Sequence, residues 1–409
     1  MSVPSSFIPV LRTFNDFSRK RIKINTVSKD SAAPGDLVQL VFPEGKVSLD
    51  TFSLGGLFST TTTAGFATIG HIKHVVEQVM LEIGSIQIHA SFNYYAQVWE
   101  IFSRHQGIWA KKGLEQALHL LNTTGSDPTA NNTNTPFQMS TWLGFMNSVR
   151  VLFTDRLPPV RLSLRLSQPN VLACSAGASN ATYSLSHLYA LTDMIKVSPV
   201  FDQVLSDRIS QAPLQIPYKN FQCIPATQTG LTNSSRFSST ADALERVYAT
   251  FLPTTYQNLN QQVDSVTYAS PAFTHGSSNL LAGLTSRFVI NGMSFGDAPA
   301  VNERGEVLMR LEQVIGEDHD ITSLPHPNLN SLSNFSSKFF VASETFSWND
   351  EDSEVRKCGL SALGNNLIAS WETLGTSASN ANDVVQPLVI LETKSVLEIG
   401  PSRTVRVIY

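Results

Sequence analysis

The sequence predicts an all-β protein made of two repeated β-sandwiches, each with one inserted helix. Three observations lead there. Short β-branched and aromatic runs, separated by turn residues, recur along the chain. A hairpin followed by an amphipathic helix is written twice. "VMLEIGSIQI" (Val79–Ile88) runs into "HASFNYYAQVWEIFSRHQG", and "RFVINGMSF" (Arg287–Phe295) runs into "GDAPAVNERGEVLMRLEQVIG". The turn glycines, Gly84 and Gly292, lie 208 residues apart, close to half of the 409-residue chain, and a second matched pair, Arg161 and Leu367, lies 206 apart.

The elements follow in order. The N-terminal arm "MSVPSSFIPVLRTFNDFSRKR" has no long apolar stretch and does not read as a secretory signal. Its basic cluster Arg19, Lys20, Arg21 and Lys23 opens the first strand and reads as a solvated strand entry or as a contact to whatever the arm faces. "RIKINTVS", "DLVQLVF" and "VSLDTFSL" read as strands. In the first hairpin Gly84 supplies the backbone freedom of a tight turn. Tyr94, Tyr95, Val98, Trp99 and Phe102 then share one face of a helix over Tyr94–Ser103, with Gly107 as its cap. "NTTGSDPTANNTNTP" (Asn122–Pro136) is too polar to bury and reads as an exposed loop, removable over Thr129–Thr135 without unfolding the chain. Pro158–Pro199 reads as strand, small-residue loop, strand, and the chain crosses to its second unit near "KVSPVFDQVL" (Lys196–Leu205).

In the second unit "QIPYKNFQCIP" and "ERVYATFLP" are strands, and about 257–286 carries no assignable pattern. After the Gly292 hairpin, Val307, Leu308, Leu311 and Ile315 mark a helix over Gly305–Ile315, capped by Gly316. "KFFVASETFSW", the run Leu363–Pro401 and "TVRVIY" supply the remaining strands.

Composition narrows the function. Charged residues make up 15% of the chain, against roughly 25% in ordinary soluble proteins, which fits a large subunit contact. A net charge of −4 gives no electrostatic footprint for sequence-specific nucleic-acid binding. Cys174, Cys223 and Cys358 are three widely spaced thiols with no metal or disulfide spacing. No run of about 20 apolar residues is present to cross a membrane as a helix. His71 and His74 lie three apart but lack a third ligand, and read as a packed or surface pair. "EDHD" (Glu317–Asp320) lacks the order of a Ca²⁺ loop, "NDEDSE" (Asn349–Glu354) reads as a solvated loop, and "GLSALG" at Gly359 has the wrong spacing for a nucleophile elbow. The chain therefore offers no catalytic, cofactor-binding or metal residues. Trp99, Trp109, Trp142, Trp348 and Trp371 read as core or interface, or as the lining of a sugar groove.

Three stretches carry a resemblance to the double jelly-roll major capsid proteins of tailless icosahedral double-stranded DNA viruses, of the virophage and Polinton-like type. They are "QVMLEIGSIQIHASFNYYAQVWEIF", "LPPVRLSLRLSQPNVLA" with "YSLSHLYALTDMIKVSP", and "VVQPLVILETKSVLEIGPSRTVRVIY". The resemblance spans roughly Arg21–Tyr409. It implies two tandem jelly-roll β-sandwiches with short inserted helices, one over residues 1–199 and the other over 200–409. It further implies a virion protein without enzymatic activity. Such a chain would form pseudo-hexagonal homotrimeric capsomers that tile an icosahedral shell around a dsDNA genome, beside penton and minor capsid proteins. Whether a membrane underlies such a shell is not written in the sequence. The reading from another class is a β-sandwich lectin or glycan-active enzyme, which would need an acidic pair or an aromatic platform in one groove.

Overall fold

A computed structural model of the chain describes residues 18–69, 71–88, 94–105, 130–140, 142–175, 178–226, 232–239, 241, 243–253, 285–295, 304–315, 340–346, 359–361, 367–374 and 385–408. In the first half they form β1 (Ser18–Asn25), β2 (Leu37–Val41), β3 (Lys46–Thr61), β4 (Ala67–Ile69), β5 (Val76–Ile83) and β6 (Ile86–Gln87), then helix α1 (Tyr95–His105). There follow β7 (Thr135–Met139), a one-turn α2 (Phe145–Ser148), β8 (Val151–Phe153), β9 (Val160–Leu166), β10 (Leu172–Cys174) and β11 (Thr182–Lys196). Helix α3 (Pro199–Gln211) leads into the second half: β12 (Leu214–Pro225), β13 (Asn233–Ser239), β14 (Leu244–Pro253), β15 (Thr285–Ile290), β16 (Met293–Phe295), α4 (Arg304–Ile315), β17 (Ala342–Thr345), β18 (Leu367–Leu374), β19 (Val385–Ile399) and β20 (Val405–Ile408).

The same topology is built twice. In the first half one sheet runs β1-β11-β3-β7 and the other β2-β9-β5-β6. In the second half the orders are β12-β19-β14-β17 and β13-β18-β15-β16. If the eight principal strands of each half are counted in chain order, both halves read 1-8-3-6 and 2-7-4-5. That is the jelly-roll arrangement of two antiparallel sheets facing one another. In both halves the inserted helix lies between the fifth and sixth of these strands. The predicted fold class and both helices are therefore found.

Each core lies between its two sheets. Tyr183 stacks on Phe58 with ring centroids 6.0 Å apart in the first sandwich, and its hydroxyl donates to the Ser167 carbonyl. In the second, Trp371 of β18 meets Phe251 of β14 at 4.9 Å and Phe288 of β15 at 6.5 Å. The two hairpins correspond but place glycine differently. Ile83 pairs with Ile86 around Gly84-Ser85, so Gly84 (φ 62°) is the first turn residue. Ile290 pairs with Met293 around Asn291-Gly292 (φ 50° and 81°), the doubly left-handed turn that Asn-Gly favours.

Register also corrects the match of Arg161 with Leu367. Val160 lies opposite Ile83, and Ala369 lies opposite Ile290, so the true partner of Val160 is Ala369. Two apolar-alternating strands can be slid past one another in sequence comparison. Only ladder pairing fixes the slip, which here is odd and would exchange the two faces.

The connection gains a helix, and one further expectation changes. The crossing at Lys196–Leu205 is largely helical. Ser198 caps α3 by accepting from the Phe201 amide, Pro199 opens it, and Phe201, Leu205 and Ile209 form its buried stripe. The segment ending at Pro136 is not a free loop where it is described. Asn132 is buried, and its Oδ1 accepts from Thr68 Oγ1 at 2.9 Å. Asn131 Oδ1 accepts from the Ala67 amide at 2.9 Å, and Thr135 and Pro136 already pair with Phe58 and Leu57. The asparagine amides partner a backbone amide and a buried hydroxyl here, which a polarity reading cannot distinguish from solvation. Removing Thr129–Thr135 would therefore take out part of the first sandwich; Asn122–Thr129 lies outside the described residues, as do "EDHD", "NDEDSE", Gly107, Gly316, Cys358, Trp109, Trp348 and almost all of 257–286.

Candidate assembly interface

The two sandwiches meet through side chains that the first half brings to the sheet β12-β19-β14 of the second. On that sheet Phe251 points inward to Trp371, so the alternate residues Tyr248, Arg246, Glu392, Ile390, Phe221 and Lys219 form its outer face. Phe102 of α1 sits edge-on against both Phe221 (5.4 Å) and Tyr248 (5.2 Å). Around this aromatic contact further joints close the seam. Phe145 of α2 meets Tyr218 edge-on at 5.0 Å, Ser148 Oγ accepts from the Lys219 amide at 3.0 Å, and Arg403 pairs with Glu44 at 2.9 Å. Lys46 of β3, itself buried, reaches Asp155 at 3.2 Å and Asp202 of α3 at 2.5 Å, tying the connecting helix to the first sandwich.

Where the seam is buried, around Glu392 and Arg246, its charges are constrained. Glu392 is 1% exposed, accepts from the Tyr248 hydroxyl at 2.9 Å, and lies 3.1 Å from Lys219 Nζ and 3.9 Å from Arg246. Burial opposes its ionisation, but the two cations and the hydrogen bonds overcome this and hold its carboxyl below the usual range. Lys219 is pushed up by the Glu392 carboxylate, and the Tyr248 phenol is raised by burial and by the same charge. Glu245 lies 3.9 Å from Lys394, and burial followed by repulsion from Glu392 raises its carboxyl. A network of this kind fixes how two surfaces meet more than it adds to stability.

The residues weighed in the sequence take structural places. His71 stacks on Trp99 with centroids 4.2 Å apart, and His74 Nε2 lies 3.0 Å from Glu100 Oε2, with both histidines buried. Lys73 lies 3.9 Å over the Trp142 ring. Trp99, Trp142 and Trp371 are all core, so none lines a groove for sugar. Burial raises the Cys174 thiol to about 11 and pushes Cys223 up further, which makes both poor nucleophiles. Gly359 and Leu360 stand beside β14, where Leu360 bridges to Leu244. Among the described residues no group of three or more His, Cys, Asp or Glu could hold a metal.

Neither a protein-family model nor a curated protein matches the sequence. Solved structures do. VP54 of PBCV-1, fitted into a reconstruction of the virophage Sputnik, superposes with a TM-score of 0.60 at 14% identity, covering 97% of this chain and 98% of its own. The Faustovirus major capsid protein gives 0.61 at 8% identity over 96% and 94%. The mavirus major capsid protein gives 0.52 at 10% identity over 100% and 95%. With so little identity over nearly the full length, what is shared is architecture: the chain has the double jelly-roll fold that these viral capsid proteins have.

Proposed function

We propose that the chain is a major capsid protein, a structural and not a catalytic component of a virion. The observation that carries this reading is the doubled topology itself. Two sandwiches of one strand order, each with a helix at the same point, give a single chain two similar lateral faces. Three such chains around a threefold axis form a ring of six similar units, a shape that tiles a hexagonal lattice. The full-length likeness to capsid proteins of PBCV-1, Faustovirus and mavirus supports the same reading. In this proposal residues 1–199 and 200–409 are the two units, homotrimers are the building block of an icosahedral shell around dsDNA, and penton and minor capsid proteins complete it. The low charge content suits extensive subunit contacts. Light scattering on the purified chain, followed by electron microscopy of concentrated trimer, tests it. Stable trimers that pack into hexagonal arrays are expected, and a persistent monomer would sink the proposal.

A further inference from the structure

The two halves match in topology but not in exposure, and the mismatch indicates where a second copy binds. In the second sandwich the outer face of the sheet β12-β19-β14 is covered by α1, and every residue from Pro387 to Ser395 is buried. Among the described residues no helix covers the equivalent face of the first sandwich. Tyr183 and Leu185 point into the first core, and the bulge between Ser186 and Tyr189 leaves Tyr189 and Leu191 pointing outward, both half-buried. The Tyr189 ring lies across Gly55, where an added Cβ would come within 3.0 Å of it, and Lys23 Nζ stands 4.6 Å over its face. This is an aromatic platform in the position of the Phe221–Tyr248 platform, without the side chain that Phe102 supplies there.

The helix that could supply it is present in the other half. All described residues of α1 from Tyr95 to Phe102 are buried. By contrast α4, which occupies the same place between its strands, leaves Glu306, Met309 and Gln313 on one exposed stripe, with Met309 59% exposed. Leu311, Val314 and Ile315 on the opposite side hold α4 to its own sandwich, and Arg310, which also pairs within the helix with Glu306 at 3.1 Å, ties it to Glu344 of β17 at 3.6 Å. A flexible thioether is well suited to an aromatic face.

We propose that the Tyr189–Leu191 face of the first sandwich is the docking site for helix α4 of a second copy of this chain, so that the contact between chains repeats the contact within one. Such a contact is heterologous, joining one face to a different face, and it closes only as a ring. The inference rests on the reading of the chain as a self-assembling subunit. It is tested with Met309→Glu and Leu191→Glu, each placing a charge at the contact, with mass read by light scattering and fold by circular dichroism. Wild-type trimer is expected, with each variant dissociating at a protein concentration at least tenfold higher than wild type while keeping its β-signal. A second arm mixes Met309→Cys chains with Leu191→Cys chains, both carrying Cys358→Ser, and treats them with a short bismaleimide. Covalent dimer should form in the mixture and not with either variant alone; Cys174 and Cys223 are buried and leave the background silent. Trimers unaffected by both charges and giving no mixed cross-link would overturn the docking site while leaving the capsid reading intact. A wild-type monomer would overturn both, and a charge variant that fails to fold leaves the cross-link to decide.

Discussion

At the scale of single residues the seam and the first core offer the sharpest tests. Trp99 is 1% exposed beneath the stacked His71 ring, so Trp99→Ala should destabilise the fold by about 3–5 kcal/mol in urea titration, as large buried aromatics do. Glu392→Gln should cost about 1–3 kcal/mol, because it removes the buried counter-charge of Arg246 and of the partly exposed Lys219. The pH profile separates the carboxylates. The folded Glu392 titrates below the ordinary value of 4.5, so its contribution is present above that value and lost as the pH falls through the folded one. Glu245 is raised, so its effect has the opposite sign: stability is lost as the pH rises from 4.5 toward the raised value. Stability measured against pH should therefore fall less steeply on the acid side in Glu392→Gln than in wild type. In Glu245→Gln it should decline less above pH 4.5. The core place of Trp99 is legible in the helical spacing, but the roles of Glu392 and Glu245 are not, because Glu392 and Lys219 become neighbours only when the strands β12 and β19, far apart in the chain, are laid side by side.

At the scale of elements, Asn132 is the position where reading by polarity failed. Its amide serves Thr68 Oγ1 and its backbone pairs with Thr60. Asn132→Ala should cost about 1–3 kcal/mol in thermal or chemical unfolding, the range for a stranded buried partner. The strand β20 lies against Val396–Ile399 of β19, beside the place where β14 stops; in the first sandwich the head of β3 fills the like column against Asp193–Ile195. Removing Val405–Ile408 should leave the second sandwich with an open edge. Faster amide exchange over Val396–Ile399 and concentration-dependent aggregation are the expected readouts. What could be read from the sequence were the elements with a strong period: both hairpins, both inserted helices and the β19–β20 pair. β13, "NSSRFSS", escaped because serines mask its alternation, although Asn233, Ser235, Phe237 and Ser239 face inward as a strand requires. Helix α3 escaped although Ser198-Pro199 is a legible start signal; its apolar stripe of Phe201, Leu205 and Ile209 is narrow, and Val200 and Val204 blur it.

At the scale of the whole molecule, Phe102 stands at the centre of the seam that joins the two sandwiches, beside the Phe145–Tyr218 and Ser148–Lys219 contacts. Phe102→Ala should weaken that joint with little effect inside either sandwich, and calorimetry should then resolve two transitions where wild type gives one. The strand order that makes the halves alike also has a kinetic side. In each sandwich the last of the eight strands, β11 or β19, is inserted between the first and the third. While the chain is being synthesised, β1 and β3 must wait with open edges until more than a hundred later residues have been added, and β12 and β14 do the same in turn. A nascent chain of this topology cannot seal its sheet progressively from one end. It is exposed to edge-to-edge association with its neighbours for as long as the central strand is missing, and its folding should be slow and sensitive to crowding by other nascent copies.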